Sequence, residues 1–128
     1  MKYSFSAFGH PNIRASHPRT FEFTKDPECT PEGDCIVGVA ADFDTAAVQK
    51  FRGAIVLRID CGTQREVVHA EVNPLFSHPS ELVVRIGEFA SDRTFAIRAD
   101  KAAAQFSTPF KAELRQPNVK ITVTIESV

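Results

Sequence analysis

"ASHPRTFEF" (residues 15–23) returns later in the chain as "FSHPSELVV" (76–84), and the reading of this pair decides the fold. Working outward, "VGVAADFDTAAVQKF" (37–51) is answered by "FAIRADKAAAQF" (95–106). Ala7 and Pro11 match Ala70 and Pro74 upstream, and Leu57-Arg58 matches Leu114-Arg115 downstream. The shared features keep their order, which is the signature of an internal duplication. The chain therefore reads as one domain made of two repeats, roughly 1–64 and 65–128.

Within each repeat the hydrophobic period is two. Val119, Ile121, Val123 and Ile125 alternate with Lys120, Thr122, Thr124 and Glu126, as in a strand with one wet face. Similar runs cover 3–7, 20–24, 55–59, 65–72 and 81–86, while 35–40 is more continuously apolar. Only 43–51 and 99–106 look helical, each Ala-rich and opening on an acid, Asp44 or Asp100, able to cap a first turn. Each repeat thus predicts strands, a His-Pro loop and one short helix. Neither repeat covers its own apolar face, so the expected architecture is mainly β, an internally duplicated β-barrel or two-layer β-sandwich. The "PEGDC" turn (31–35) resembles the Gly-Asp turns of cradle-loop barrels.

Composition narrows the function classes. The chain has 128 residues, 43% hydrophobic and 24% charged, which is ordinary for a globular protein. Its net charge of −1 provides no global field to attract nucleic acid or an anionic membrane. Phe21 and Phe23 share the apolar face of a strand, leaving Phe8 as the ring placed to stack on a base, so general nucleic-acid binding is not expected. No apolar run approaches the roughly 20 residues of a membrane span. Cys29, Cys35 and Cys61 lack CxxC spacing and follow no signal peptide, so a soluble protein in a reduced, cytoplasmic setting is expected.

The two repeats also separate scaffold from chemistry. Ser16-His17-Pro18 recurs as Ser77-His78-Pro79, where Ser closes a turn, Pro fixes φ and His packs across the loop. In contrast His10, Asn12, Arg14 and Arg19 face Asn73, Leu75 or Phe76, and Ser80, so the polar surplus lies in the first copy alone. A loop-borne site on a rigid β framework produces that asymmetry. Arg14, Arg19 and Asn12 are candidate holders of a phosphate- or carboxylate-bearing ligand. His10 and His17 are candidate proton carriers near neutral pH, oriented by Glu22 or Asp34. The same two histidines, with Glu22, Asp26 or Asp34, are alternative ligands for a divalent transition metal. Cysteine catalysis is disfavoured because Cys35 opens the apolar run "CIVGV", although Cys61 in "DCGT" is expected in an exposed turn. The rival reading is a non-catalytic interaction module that uses exposed β edges or an apolar patch, including pairing with a second copy.

Gly9-His10, Asn12-Ile13, Ala15, His17, Thr20, Glu22, Thr24-Lys25-Asp26, Gly33-Asp34-Cys35 and Ala41-Asp42 form an ordered set. On it the chain resembles a conserved, mainly archaeal family catalogued as domain of unknown function 371. The resemblance implies a small, stand-alone, β-rich cytoplasmic protein and carries no activity. Pro18-Arg19 departs from the polar residues usual in that family after the histidine. Proline has no N–H to offer a ligand.

Overall fold

A computed structural model describes residues 1–128. Its eight strands are β1 (Lys2–Phe8), β2 (Thr20–Thr24), β3 (Ile36–Gly38), β4 (Ala54–Cys61), β5 (Gln64–Val72), β6 (Glu81–Arg85), β7 (Thr94–Ile97) and β8 (Lys120–Ser127). They form one mixed sheet in the order β1-β8-β4-β5-β7-β6-β2-β3. The β2/β3 and β6/β7 pairs are parallel and the others antiparallel. The sheet is not a closed barrel, but its two ends meet at one antiparallel bridge. There Phe8 N–H donates to Val39 O at 2.8 Å and Val39 N–H donates to Phe8 O at 2.9 Å.

Period-two patterning becomes burial directly. Ile55, Leu57, Ile59 and Cys61 of β4 and Ile121, Val123 and Ile125 of β8 are all fully buried. The inner faces are joined by a continuous run of rings, Phe95, Phe76, Phe43, Phe5, Phe23, Phe21, Phe106 and Phe110, with successive centroids 5.2–6.5 Å apart. Tilted and edge-to-face pairs of this kind add to the area they bury. Such a core holds the strand ends rigid and leaves the connecting loops to carry polar groups.

The helices depart in part from expectation. Asp44 caps α1 (Thr45–Val48) by accepting Ala46 N–H at 3.0 Å, as expected, and the helix is a single turn. The expected helix over 99–106 does not form. Asp100 is committed elsewhere: its Oδ1 accepts His69 N–H at 3.0 Å, and its own N–H donates to His69 O at 3.0 Å. Only a 3-10 turn, Ala103–Gln105, remains in that segment. The true helix, α2 (Thr108–Leu114), starts further on, where Ser107 accepts Phe110 N–H at 3.2 Å and Pro109 occupies the first turn. Leu114 therefore ends a helix while Leu57 lies mid-strand, so the expected match of Leu57-Arg58 with Leu114-Arg115 does not hold. Cys61 is likewise the last, fully buried residue of β4 rather than an exposed turn residue, because Gly62 (φ 60°) and Thr63 make the turn. No helix is long and apolar enough to cross a membrane.

Candidate functional site

The first loop leaves β1 through Gly9, which is buried against the end of α2. A Cβ there would stand 2.5 Å from Val119 Cγ1 and 2.6 Å from the carbonyl oxygens of Leu114 and Gln116. Gly9 N–H donates to Val119 O at 2.9 Å and His10 N–H to Leu114 O at 3.0 Å, which pins the loop to the fold. His10 Nδ1 then accepts Asn12 N–H at 3.0 Å, the role that Asn73 Oδ1 performs for Leu75 N–H at 3.1 Å in the second loop. That bond fixes the ring's proton on Nε2, which faces Glu28 Oε2 at 3.0 Å. The imidazole is 16% exposed and the Glu28 side chain 80% exposed.

This pair lies in a cleft of about 470 Å³ at the seam where the sheet ends meet. Phe8, Pro11, Pro27, Val39 and Ala40 supply its apolar walls, and the Pro117-Asn118 turn closes it. The charged group on its lining is Glu28. Cys29 is next in sequence to Glu28. Its thiol is pushed up from its ordinary value by burial first, then by the negative charges of Glu28 and Asp26.

The other expected residues form a second polar group on the outer face of β2 and β6. His17 Nδ1 accepts three contacts at 3.1 Å, from Arg19 N–H, Thr20 N–H and the Thr20 hydroxyl. His78 Nδ1 accepts Ser80 N–H at 3.2 Å and Glu81 N–H at 2.9 Å. Ser16 and His17 N–H donate to Asp34 O, and Ser77 and His78 N–H donate to Asp92 O. Both histidines thus close their turns, and Asp34 acts through its backbone carbonyl. Glu22 is 5% exposed. Its Oε1 accepts the Cys35 thiol at 3.6 Å and lies 3.7 Å from Arg93 Nη1, which bonds Glu81 at 2.7 Å. Burial, followed by the charge of Glu81, raises the Glu22 carboxyl above its usual range, and Arg93 opposes the shift. Burial and Glu22 push the Cys35 thiol up to about 11, so it is not a thiolate nucleophile at neutral pH.

Arg14 is exposed, and its carbonyl accepts Arg115 Nη2–H at 3.1 Å. Arg19 runs along Gly87, where an added Cβ would stand 3.0 Å from its Nη2. Asp26 Oδ1 accepts Glu28 N–H at 2.9 Å. No hydrogen bond or ion pair joins His10 to His17, Glu22, Asp34, Arg14 or Arg19. No group of three or more His, Cys, Asp or Glu side chains is arranged to hold a metal ion, and the ring nitrogens of His10 are both engaged. The residues expected as metal ligands therefore do not form a fitting donor set. Sequence reading missed Glu28. The backbone correspondence marks it, because Ala40 N–H donates to Asp26 O as Arg98 N–H donates to Gly87 O, which sets "DPEC" (26–29) against "GEFA" (87–90).

Comparison with known proteins agrees with the resemblance seen in the sequence. The uncharacterized protein MJ0206 of Methanocaldococcus jannaschii is 30% identical over 125 residues, 91% of this chain and 93% of that protein. A family model described as "Domain of unknown function (DUF371)" matches residues 5–128. A full-length match of this kind shows that the chain belongs to that archaeal-type family.

Proposed function

We propose that this chain is a small-molecule-binding protein whose site is the seam cleft beside the N-terminal loop. The observation that carries the reading is the location of the cleft: about 470 Å³ of concavity formed around His10, whose ring is held rigid by Asn12 and Glu28. Ligand sites of a few hundred Å³ combine apolar walls with a few fixed polar groups in this way. Glu28, the more exposed member of the pair, is the group placed to bond a ligand directly. The anionic ligand expected from Arg14 and Arg19 would have to be recruited from outside the cleft wall, because neither arginine lines it.

The finer fold reading belongs with this proposal. With the Phe8–Val39 bridge counted as the contact between the β1 and β3 ends, exchanging β1–β4 for β5–β8 leaves the set of neighbouring pairs unchanged, which supports an internal duplication. The Phe8–Val39 bridge favours an incompletely closed barrel over a two-layer sandwich. Three free thiols suit a reducing, cytoplasmic setting. The interaction-module reading draws on Leu75 and Phe89, which are 79% and 69% exposed.

Fragment titrations followed by amide NMR test the proposal. Saturable shifts confined to Gly9, His10, Glu28 and Ala40 are expected. His10→Ala should weaken them roughly three- to tenfold, the loss of about one hydrogen bond. Fragments that cluster on Leu75 and Phe89 and leave the cleft untouched would replace this reading with the interaction module.

A further inference from the structure

The two halves of the chain make the same backbone bonds around the seam cleft and around its counterpart. Ala40 N–H donates to Asp26 O, Ala41 N–H to Thr24 O and Asp42 N–H to Ser6 O, at 2.9–3.0 Å. In the second half Arg98 N–H donates to Gly87 O, Ala99 N–H to Arg85 O and Asp100 N–H to His69 O, at 3.0–3.1 Å. Asp42 and Asp100 each accept the N–H of the same strand residue in return, Ser6 and His69. Ala40 and Arg98 even share a left-handed backbone, with φ of 50° and 53°. By this correspondence Ala40 stands where Arg98 does. Phe8, bridged to Val39, stands where Glu71 is paired with Ile97, and Pro27 stands where Glu88 does.

In the second half that corner is filled. The Arg98 guanidinium bonds Glu71 at 2.7 Å and Glu88 at 2.5 and 2.9 Å. In the first half Phe8, Pro27 and Ala40 line the cleft, so the corner is open and its walls are apolar. Carboxylate charge is still supplied there, now by Glu28. Its Oε2 accepts the hydrogen bond from His10 Nε2–H and its Oε1 is uncommitted. With His10 Nδ1 accepting from Asn12, the ring is neutral, and no Lys or Arg lines the cleft.

We infer that the seam cleft binds a planar cation of the guanidinium type on a small molecule. The ligand takes the place that Arg98 occupies in the second half, with Glu28 as its counter-charge and Phe8 and the prolines as its stacking walls. Carboxylates recognise guanidinium through paired N–H donors, and such cations also stack on aromatic faces. This inference rests on the reading of the cleft as a ligand site and adds the chemistry of the ligand.

The test is amide NMR titration of the full chain with methylguanidinium, using L-arginine, methylammonium, neutral urea and methyl phosphate as parallel probes. Methylguanidinium should saturate shifts at His10, Glu28 and Ala40, with methylammonium and urea roughly tenfold weaker, a difference of about 1.4 kcal/mol. L-arginine binding as tightly as methylguanidinium supports an amino-acid source, and binding only by methylguanidinium supports a smaller guanidine. Glu28→Gln, at an exposed side chain that the fold tolerates, should weaken binding roughly tenfold with the rest of the spectrum unchanged. Ala40→Arg should abolish binding by filling the corner. Equal binding of urea, or no loss in Glu28→Gln, overturns the inference. Saturation by methyl phosphate without methylguanidinium overturns it and leaves the cleft as a ligand site, whereas silence from every probe overturns both.

Discussion

Individual side chains divide this protein's polar groups into fixed scaffold and available chemistry. His17 and His78 spend Nδ1 on their own turns. His10 spends Nδ1 in the same way but directs Nε2 at an exposed carboxylate on the cleft lining, which His17 does not reach. Glu22 is the buried acid of the outer face. Its carboxyl holds its proton more tightly when folded than when unfolded. Its contribution to stability is thus full below its ordinary value of 4.5 and is lost as pH rises through the folded value. Wild type should accordingly lose stability relative to Glu22→Gln between about pH 4.5 and neutrality, read as urea midpoints across that range. A difference that does not change with pH would show that Arg93 fully offsets burial. The thiols give a second check. Cys35 and Cys61 are both raised to about 11, so native protein at pH 8 should react slowly with a thiol reagent, and unfolding should release all three cysteines.

Elements are held in place here by their ends. The helix α2 exists because Ser107 caps it and because Glu66 Oε2 accepts Ser107 N–H at 2.7 Å, while Lys101 bonds the other oxygen at 2.7 Å. Ser107→Ala should cost about 1 kcal/mol in urea unfolding. Gly9→Ala should cost more, about 1–3 kcal/mol, because its Cβ would meet two backbone carbonyls at the end of that helix. It should also disturb the His10 and Asn12 amide signals, since the same contact positions the loop. A Gly9→Ala cost below that of Ser107→Ala would mean that the loop can back away from α2 freely.

Across the whole molecule the sheet is ordered so that strands distant in sequence become neighbours and its two ends meet. The seam depends on Phe8 and Val39, and Asp42 reinforces it by accepting Ser6 N–H at 2.7 Å. If the seam belongs to the cooperative unit, the Phe8 and Val39 amides should exchange with an opening free energy within about 1–2 kcal/mol of global unfolding. Rapid exchange there would mark the seam as a frayed edge and the cleft as intermittently open. The cleft exists at this scale alone, since its walls come from the ends of β1 and β3, from the loops after β1 and β2 and from the turn before β8.

The sequence by itself determined the local pattern. Alternation placed the strands, most sharply Thr20–Thr24, whose bounds agree with the structure. The recurring Ser-His-Pro tripeptide identified His78 as a turn residue, and the contrast between the two similar stretches drew attention to His10. These are short-range effects, set by side-chain period and by turn chemistry within a few residues. Tertiary structure decided what such effects cannot reach. Asp100 reads as a helix cap until β5 claims it, so the alanines of 102–104 follow the core and not their propensity. Glu28 reads as a loop acid until the seam brings it to His10. Arg14 and Arg19 read as partners of that histidine, yet the path of the chain carries them away from the cleft. Hydrophobic period states which face a residue occupies, and only the pairing of distant strands states which residues share a corner.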